Sequence, residues 1–304
     1  METLLRNLFQ ALGKSHAANR MAKKYGLRFG AARFVAGDSI RQAIEAVRKL
    51  NEDGRMATLD HLGEFVDSEE EALQSADMCV QTLDAIAQAG VVSNLSLKMT
   101  SLGLDSSREL CMRNMRRILD RAREHGNFVR IDMEDYAHCQ TSLDIYRELR
   151  REYDNVGIVL QAYLFRTRQD IQDLNGLRAN LRLVKGAYKE SPEVAYASKK
   201  DVDENYKAMI REHMEHGNYA AVASHDEAIV SFTKQFAFER GIAADRFEFQ
   251  MLYGICEEMQ KRLVQEGYRV RVYVPYGVDW FGYFMRRLAE RPANVWFVLK
   301  NLFK

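Results

Sequence analysis

Between residues 55 and 276 short runs rich in β-branched and aromatic residues alternate with charged stretches of helical length. The runs predict strands at Met56–Leu59, Val92–Lys98, Phe128–Met133, Val156–Tyr163, Asn180–Lys185, Tyr219–Ser224, Arg246–Met251 and Arg269–Val274. Amphipathic segments such as Ser68–Ala89 and Ser106–His125 predict the helices between them. Eight β–α units in this order imply a (β/α)8 barrel of the α/β class. The alternative is a doubly wound sheet, which usually declares itself by a glycine-rich first turn. No GxGxxG or GxxxxGK[ST] occurs here, so neither a Rossmann nor a P-loop site is indicated.

Within the strands the pattern has period two. Ser96 and Lys98 alternate with Leu95 and Leu97, Arg130 and Asp132 with Val129, Ile131 and Met133, and Arg271 and Tyr273 with Val270, Val272 and Val274. One face of each strand is apolar, to meet a ring of helices; the other is polar, which is unusual for a barrel interior. The carboxyl ends are polar throughout: "TLDHLGE" (Asp60, His61, Glu64), "NLSLK" (Lys98), "RIDMED" (Asp132, Glu134), "VLQAY" (Gln161), "LRLVKGAY" (Arg182, Lys185, Tyr188), "ASHD" (Ser224, His225), "FEFQML" (Gln250) and "RVYVPYG" (Tyr273). Barrel enzymes place their chemistry at these ends. Singly, each residue has a structural explanation, such as a Lys98–Asp132 pair or a cap by Gln161 or Gln250. Together they predict a polar upper lumen built to hold something polar and sizeable, because each buried polar group needs a partner.

After the last strand, "YFMRRLAERPAN" predicts a helix with two faces. Tyr283, Arg286, Arg287 and Glu290 share one, while Phe281, Phe284, Met285 and Leu288 share the other. A solvated face with an Arg286–Glu290 pair is the plain alternative to a binding face.

The chain has 304 residues, 47% hydrophobic and 29% charged, with only three prolines and no linker-like stretch. A single domain over 1–304 is expected, with an N-terminal helical segment at 1–50 and the barrel and C-terminal helices at 55–304. A net charge of +1 gives no reason to expect nucleic acid. Cys79, Cys111, Cys139 and Cys256 form no CxxC, so a zinc site or disulfide framework is not expected and a reducing compartment fits. No secretory signal and no membrane-spanning run is visible. "HMEH" at His213–His216 lacks the spacing of zinc peptidases and precedes Gly217, so it reads as a helix end rather than a metal site. Residues 1–37 carry Arg6, Lys14, Arg20, Lys23, Lys24, Arg28 and Arg33 against Glu2, and Leu5, Leu8, Phe9 and Leu12 line one face. That segment, like the basic and apolar "NVWFVLKNLFK" at the end, suits either an anionic membrane surface or packing on the protein.

"LRLVKGAY", "EFQMLYG", "RVYVPYG" and "YFMRRLAERPAN", in this order, resemble the proline dehydrogenase family; "LDHLGE" and "RIDMED" fit its bacterial monofunctional branch. The resemblance runs from about Thr58 to Asn294 and implies a distorted (β/α)8 barrel, with extra N-terminal helices, that holds FAD at the carboxyl ends of its strands. It implies oxidation of L-proline to Δ1-pyrroline-5-carboxylate, with electrons passed to a membrane quinone. By the same resemblance Arg286 and Arg287 clamp the substrate carboxylate, Lys98 is the third positive group there, and Asp132 balances Lys98. Guanidinium forks suit carboxylate geometry. Tyr273, Tyr283, Leu183 and Tyr188 are implied to wall the ring, and Glu290 to orient the arginines or contact the cofactor. Arg182 is implied near the reactive flavin nitrogen, with Gln161, the Val184–Lys185–Gly186 backbone, Ser224, His225 and Gln250 as further flavin contacts. No metal is implied.

The chain departs from the family where Ser224-His225-Asp226 stands for Thr-His-Asn and where Ala195–Lys200 matches poorly, which bears on the adenosine side. Glu64 and Arg291 are expected to pair over the substrate. The chain ends shortly after its last strand, so a separate pyrroline-5-carboxylate dehydrogenase is expected to take the product. A cytoplasmic protein on the inner membrane face is expected, and the oligomeric state is left open. Three other readings compete: a Schiff-base aldolase using Lys98 or Lys185, a flavin reductase with a folate-like substrate, and a proline-binding sensor without turnover.

Overall fold

The structure is a computed structural model that describes residues 31–63 and 66–290, with backbone alone at residues 31 and 286–290. Eight parallel strands close into a barrel in chain order. They are β1 (Met56–His61), β2 (Ser93–Leu97), β3 (Val129–Ile131), β4 (Val156–Gln161), β5 (Asn180–Val184), β6 (Tyr219–Ala223), β7 (Phe247–Leu252) and β8 (Val270–Tyr276). The helices are α1 (Ile40–Glu52), α2 (Glu69–Ala89), α3 (Arg108–Glu124), α4 (Tyr136–Arg150), α5 (Thr167–Asn175), α6 (Lys199–His216), α7 (Glu227–Glu239), α8 (Glu257–Gln265) and α9 (Trp280–Glu290). The eight predicted strands are all present, and the doubly wound alternative is excluded by the closure of β8 on β1.

Local chemistry sets the element ends. Ser39, Ser68, Ser107, Asp135, Ser198 and Asp226 each cap the first turn of the helix that follows, accepting a backbone N–H through the side chain. β1 and β8 run further than predicted because their register continues from Met56↔Arg271 to His61↔Tyr276. β3 is shorter than predicted. The Asn127 side chain takes the Phe128 N–H at 2.7 Å, and the carbonyls of Met133 and Glu134 accept from the Gln161 side chain rather than from a strand. The "HMEH" stretch does end a helix: Gly217 follows α6 and donates to the His213 carbonyl at 2.8 Å.

Alternation along the strands separates two interiors. Outward residues, including Leu95, Leu97, Val129, Ile131, Ile158 and Leu181, are fully buried or nearly so and join the main apolar core under the helices. Inward residues in the lower lumen are polar and paired. Arg271 meets Glu248 at 2.8 Å and donates to the Ala57 carbonyl at 2.7 Å. Arg130 donates to the carbonyls of Asn180 and Ile158 at 2.6 and 3.3 Å. Burial lowers the Arg130 pKa to about 9. For Glu248 burial opposes ionisation, but the Arg271 guanidinium wins and holds its pKa below the usual carboxylate value. Gly157 makes room for this layer: a Cβ there would sit 2.5 Å from Arg130 Nη1. The polar floor supports the site above it.

Candidate active site

At the carboxyl ends of the strands the inward side chains form one network. Lys98, just past β2, lies 3.1 Å from Asp60 on β1 and 4.0 Å from Asp132, just past β3. Asp132 also meets Arg182 on β5 at 2.6 Å and accepts from the Ser96 hydroxyl at 2.7 Å. Arg182 contacts Ser96 Oγ at 3.2 Å, and its guanidinium lies 5.4 Å from the centre of the Tyr273 ring. The Tyr273 hydroxyl on β8 is 2.6 Å from Asp60 and 2.8 Å from Asp132. Five strands thus contribute to one cluster, and period two is what aims every member inward.

The cluster is polarised. Burial would lower the Lys98 pKa, but Asp60 and Asp132 outweigh it and hold the ammonium above its ordinary value. Burial raises the pKa of Asp60, Lys98 opposes it, and Asp132 adds to it. Burial likewise raises the Tyr273 pKa well above that of a free phenol, so the hydroxyl stays protonated. At 24% side-chain exposure Lys98 reaches the open mouth of the lumen, where Asp60 at 3% does not.

The remaining predicted positions distribute around this cluster. Gln161 ends β4 with its amide nitrogen donating to the Glu134 carbonyl at 3.1 Å. Gln250 on β7 donates to Glu248, and the Leu252 N–H donates to His225 Nε2 at 2.9 Å. Ser224 is buried, and its hydroxyl accepts the Asp226 N–H at 3.1 Å. Lys185 turns its side chain away to Asp203 and Asp226, the latter at 2.8 Å. The Asp226 that departs from the family pattern therefore caps α7 and pairs with Lys185. Gly186 follows with φ +109°, and a Cβ there would lie 2.1 Å from the Tyr163 ring, so only glycine lets the backbone pass. Tyr188 is 40% exposed beyond β5. Tyr283 is buried on α9 with Phe34, Trp280 and Phe284.

The expectation for Leu183 is corrected. It is fully buried in the outer core, and its neighbour Arg182 is the residue that faces the lumen. Alternation excludes both from one face. The side chains of Arg286, Arg287 and Glu290 lie outside the described residues, although the backbone carries all three on α9. The Glu64–Arg291 pair and residues 1–30 also lie outside them. Asp60 and Ser96 belong to the cluster but were not singled out as site residues. Their signal was present: Asp60 ends "ATLD", and Ser96 shares the polar face with Lys98.

A flavin cofactor is testable against two buried polar atoms that lack a partner among the described residues: the acceptor Gln161 Oε1 and the donor Arg182 Nε. A donor and an acceptor of this kind fit the alternating donor and acceptor edge of a flavin ring. Among the described residues no helix is long and apolar enough to cross a membrane.

The family model described as "Proline dehydrogenase" matches residues 43–300. The chain is 51% identical over 301 residues to "Proline dehydrogenase 2" of Bacillus subtilis, covering 99% of both. It is 46% identical over 279 residues to "Proline dehydrogenase" of Deinococcus radiodurans, covering 90% of both. Among solved structures it is similar to proline utilization A (PutA) of Bdellovibrio bacteriovorus, inactivated by N-propargylglycine, with TM-score 0.80 and 29% identity over 86% of this chain. It spans 32% of that longer protein.

Proposed function

The chain belongs to the proline dehydrogenase family, and from that premise we propose that it oxidises L-proline to Δ1-pyrroline-5-carboxylate with FAD held over the upper lumen. The observation that carries this reading is the Lys98–Asp60–Tyr273–Asp132–Arg182 cluster at the strand ends. It offers a protonated amine at the lumen mouth, a phenol beside it, and a guanidinium with an open donor.

Proline brings a carboxylate, an amine and an apolar ring. Lys98, with Arg286 and Arg287 from α9, binds the carboxylate; Asp132 holds Lys98 and Arg182 in place by pairing with both. Tyr273, Tyr188 and Tyr283 bound the ring and exclude bulkier amino acids. Gln161, Arg182, the backbone at Val184–Gly186, Ser224, His225 and Gln250 hold the cofactor, which supplies hydride acceptance when bound. Arg182 would lend positive charge to the bound cofactor, which would favour its reduced and more negative form. The clamp fixes the ring carbon in a reactive orientation. The substrate amine reacts in its neutral form, so the rate rises with pH.

A membrane quinone as acceptor, a location on the inner membrane face, and a separate pyrroline-5-carboxylate dehydrogenase complete the proposal. The basic, amphipathic residues 1–37 support the membrane contact.

The Schiff-base reading loses its physical basis. A lysine nucleophile needs a neutral amine. Lys98 is held charged by Asp132, and by Asp60 whenever that carboxyl is ionised, and Lys185 is paired with Asp203 and Asp226.

The test is the visible spectrum of the purified protein, then of the same sample without oxygen after addition of L-proline. A yellow protein that bleaches supports flavin, substrate and electron flow together. A yellow protein that does not bleach removes proline. A protein that stays colourless after FAD is supplied removes the cofactor.

A further inference from the structure

The Tyr273 hydroxyl lies 2.6 Å from Asp60 Oδ2 and 2.8 Å from Asp132 Oδ2. A phenol donates one proton, and an ionised carboxylate donates none. Two such short contacts among three oxygens require two protons; with one, a phenol lone pair would face a carboxylate lone pair. The surroundings decide which carboxyl carries the second. Asp132 faces the Arg182 guanidinium at 2.6 Å, accepts from Ser96 at 2.7 Å, and has Lys98 at 4.0 Å. Asp60 has Lys98 at 3.1 Å and lies deeper, with 3% of its side chain exposed.

Among the described residues the other groups near Asp60 supply no positive charge. The Cys79 thiol on α2 is pushed up to about 12 by burial and stays neutral. The Tyr276 phenol is likewise raised by burial. Burial lowers the His61 pKa and favours the neutral imidazole, against the pull of Asp60 and Asp279. Arg182 reaches Asp132 and the Tyr273 ring; Lys98 and, more weakly, a hydrogen bond from Tyr273 favour the ionised Asp60, against burial and the charge of Asp132.

We propose that Asp60 holds a proton in the resting protein and donates it to the Tyr273 oxygen, so that Lys98 keeps a net positive charge for the carboxylate of its ligand. Asp60 is then a positioning residue that acts through Lys98 and Tyr273. Among the four described groups Lys98, Arg182, Asp132 and Asp60, the cations outweigh Asp132 by one charge with Asp60 neutral, and that surplus vanishes with Asp60 ionised. Loss of the Asp60 proton to solvent at higher pH thus weakens carboxylate binding while Lys98 itself stays charged. The role given to Lys98 rests on the substrate reading above; the proton on Asp60 rests on the geometry alone.

The experiment uses the full-length, flavin-loaded protein and cyclopentanecarboxylate. This ring carboxylate has no amine to titrate, so the pH dependence of its binding belongs to the site. Asp60→Asn imitates the protonated acid, since its amide donates to Tyr273 and accepts from Lys98. Wild-type affinity is expected to fall on the order of tenfold as pH rises, the scale a nearby unit charge imposes in a partly buried site. Asp60→Asn is expected to keep the low-pH affinity throughout. The infrared spectrum of the ligand-free wild type should show the carbonyl stretch of a protonated carboxylic acid that is absent from Asp60→Asn. The same band should fade in the wild type as binding weakens, a check that needs no substitution.

Absence of the acid band, or an equal fall in affinity for Asp60→Asn, overturns the proposal. No binding of the carboxylate at any pH overturns the substrate reading and the role of Lys98, while the infrared band still reports whether Asp60 carries the proton.

Discussion

Arg182 on β5 meets Asp132, just past β3, at 2.6 Å, across the intervening strand β4. The contact ties two non-adjacent strands through the lumen, and Asp132 is also 4.0 Å from Lys98. Replacing Asp132 with Ala leaves two cations facing each other without their shared anion. Breaking such a buried pair costs about 3–5 kcal/mol. Asp132→Ala is expected to unfold at clearly lower urea and to lose most activity, with Asp132→Asn intermediate. Equilibrium denaturation followed by circular dichroism checks the first expectation, and steady-state kinetics the second.

Lys98→Met keeps the length of the side chain and removes its charge. KM for proline should rise at least on the order of tenfold, with a smaller change in kcat, because the amine serves binding. Borohydride added to the wild type with a ketone or aldehyde should trap no adduct. A trapped adduct on Lys98, seen by mass spectrometry, would reinstate the aldolase reading.

His213 gives a pH dependence of stability that is independent of the active site. It donates from Nε2 to the Tyr219 carbonyl at 3.0 Å and meets the Asn175 amide through Nδ1 at 2.9 Å. Burial lowers its pKa to about 4 from 6.5. The unfolded chain therefore binds a proton that the folded one refuses between those values. Stability is full above pH 6.5 and falls as pH drops toward 4, by ~3 kcal/mol over the window. His213→Gln should flatten this portion of the urea midpoint against pH.

Gly186 combines φ +109° with the close approach of Tyr163. Gly186→Ala strains the backbone and displaces the Tyr163 ring, at a cost of roughly 1–3 kcal/mol for the backbone alone. The turn after β5 is also a proposed cofactor contact. Flavin content of the purified variant, read from the ratio of visible to ultraviolet absorbance, should fall more than the melting temperature suggests.

Arg286→Lys and Arg287→Lys distinguish a guanidinium clamp from a simple positive charge. Each is expected to raise KM for proline on the order of a hundredfold, because one ammonium cannot reproduce the two-pronged contact. Kinetics that match the wild type would return these residues to the solvated-face reading of α9.

Much of the barrel was legible because β-branched runs and polar strand ends follow two different rules of the same period. Leu95 and Leu97 point to helices and Ser96 and Lys98 to the lumen, and the alternation states as much before any coordinates. Element ends were less legible, since side chains far along the chain set them. β3 stops where Gln161 claims the carbonyls of Met133 and Glu134. A motif names neighbours and not faces, and only alternation assigns Arg182 inward and Leu183 outward. Asp60 was undervalued for a different reason. Its importance lies in being shared with Tyr273 and Lys98, and no local window contains all three.

Asp60 and Tyr273 are 213 residues apart, and β1 pairs with β8 over six residues. Until the final strand leaves the ribosome, β1 has one edge without its partner, and the Asp60 carboxyl lacks the phenol opposite it. Closure must wait for a very long loop to find its ends, the slow step expected of non-local pairing. A nascent chain stopped before residue 270 would therefore carry most of the barrel's mass and none of its completed active site.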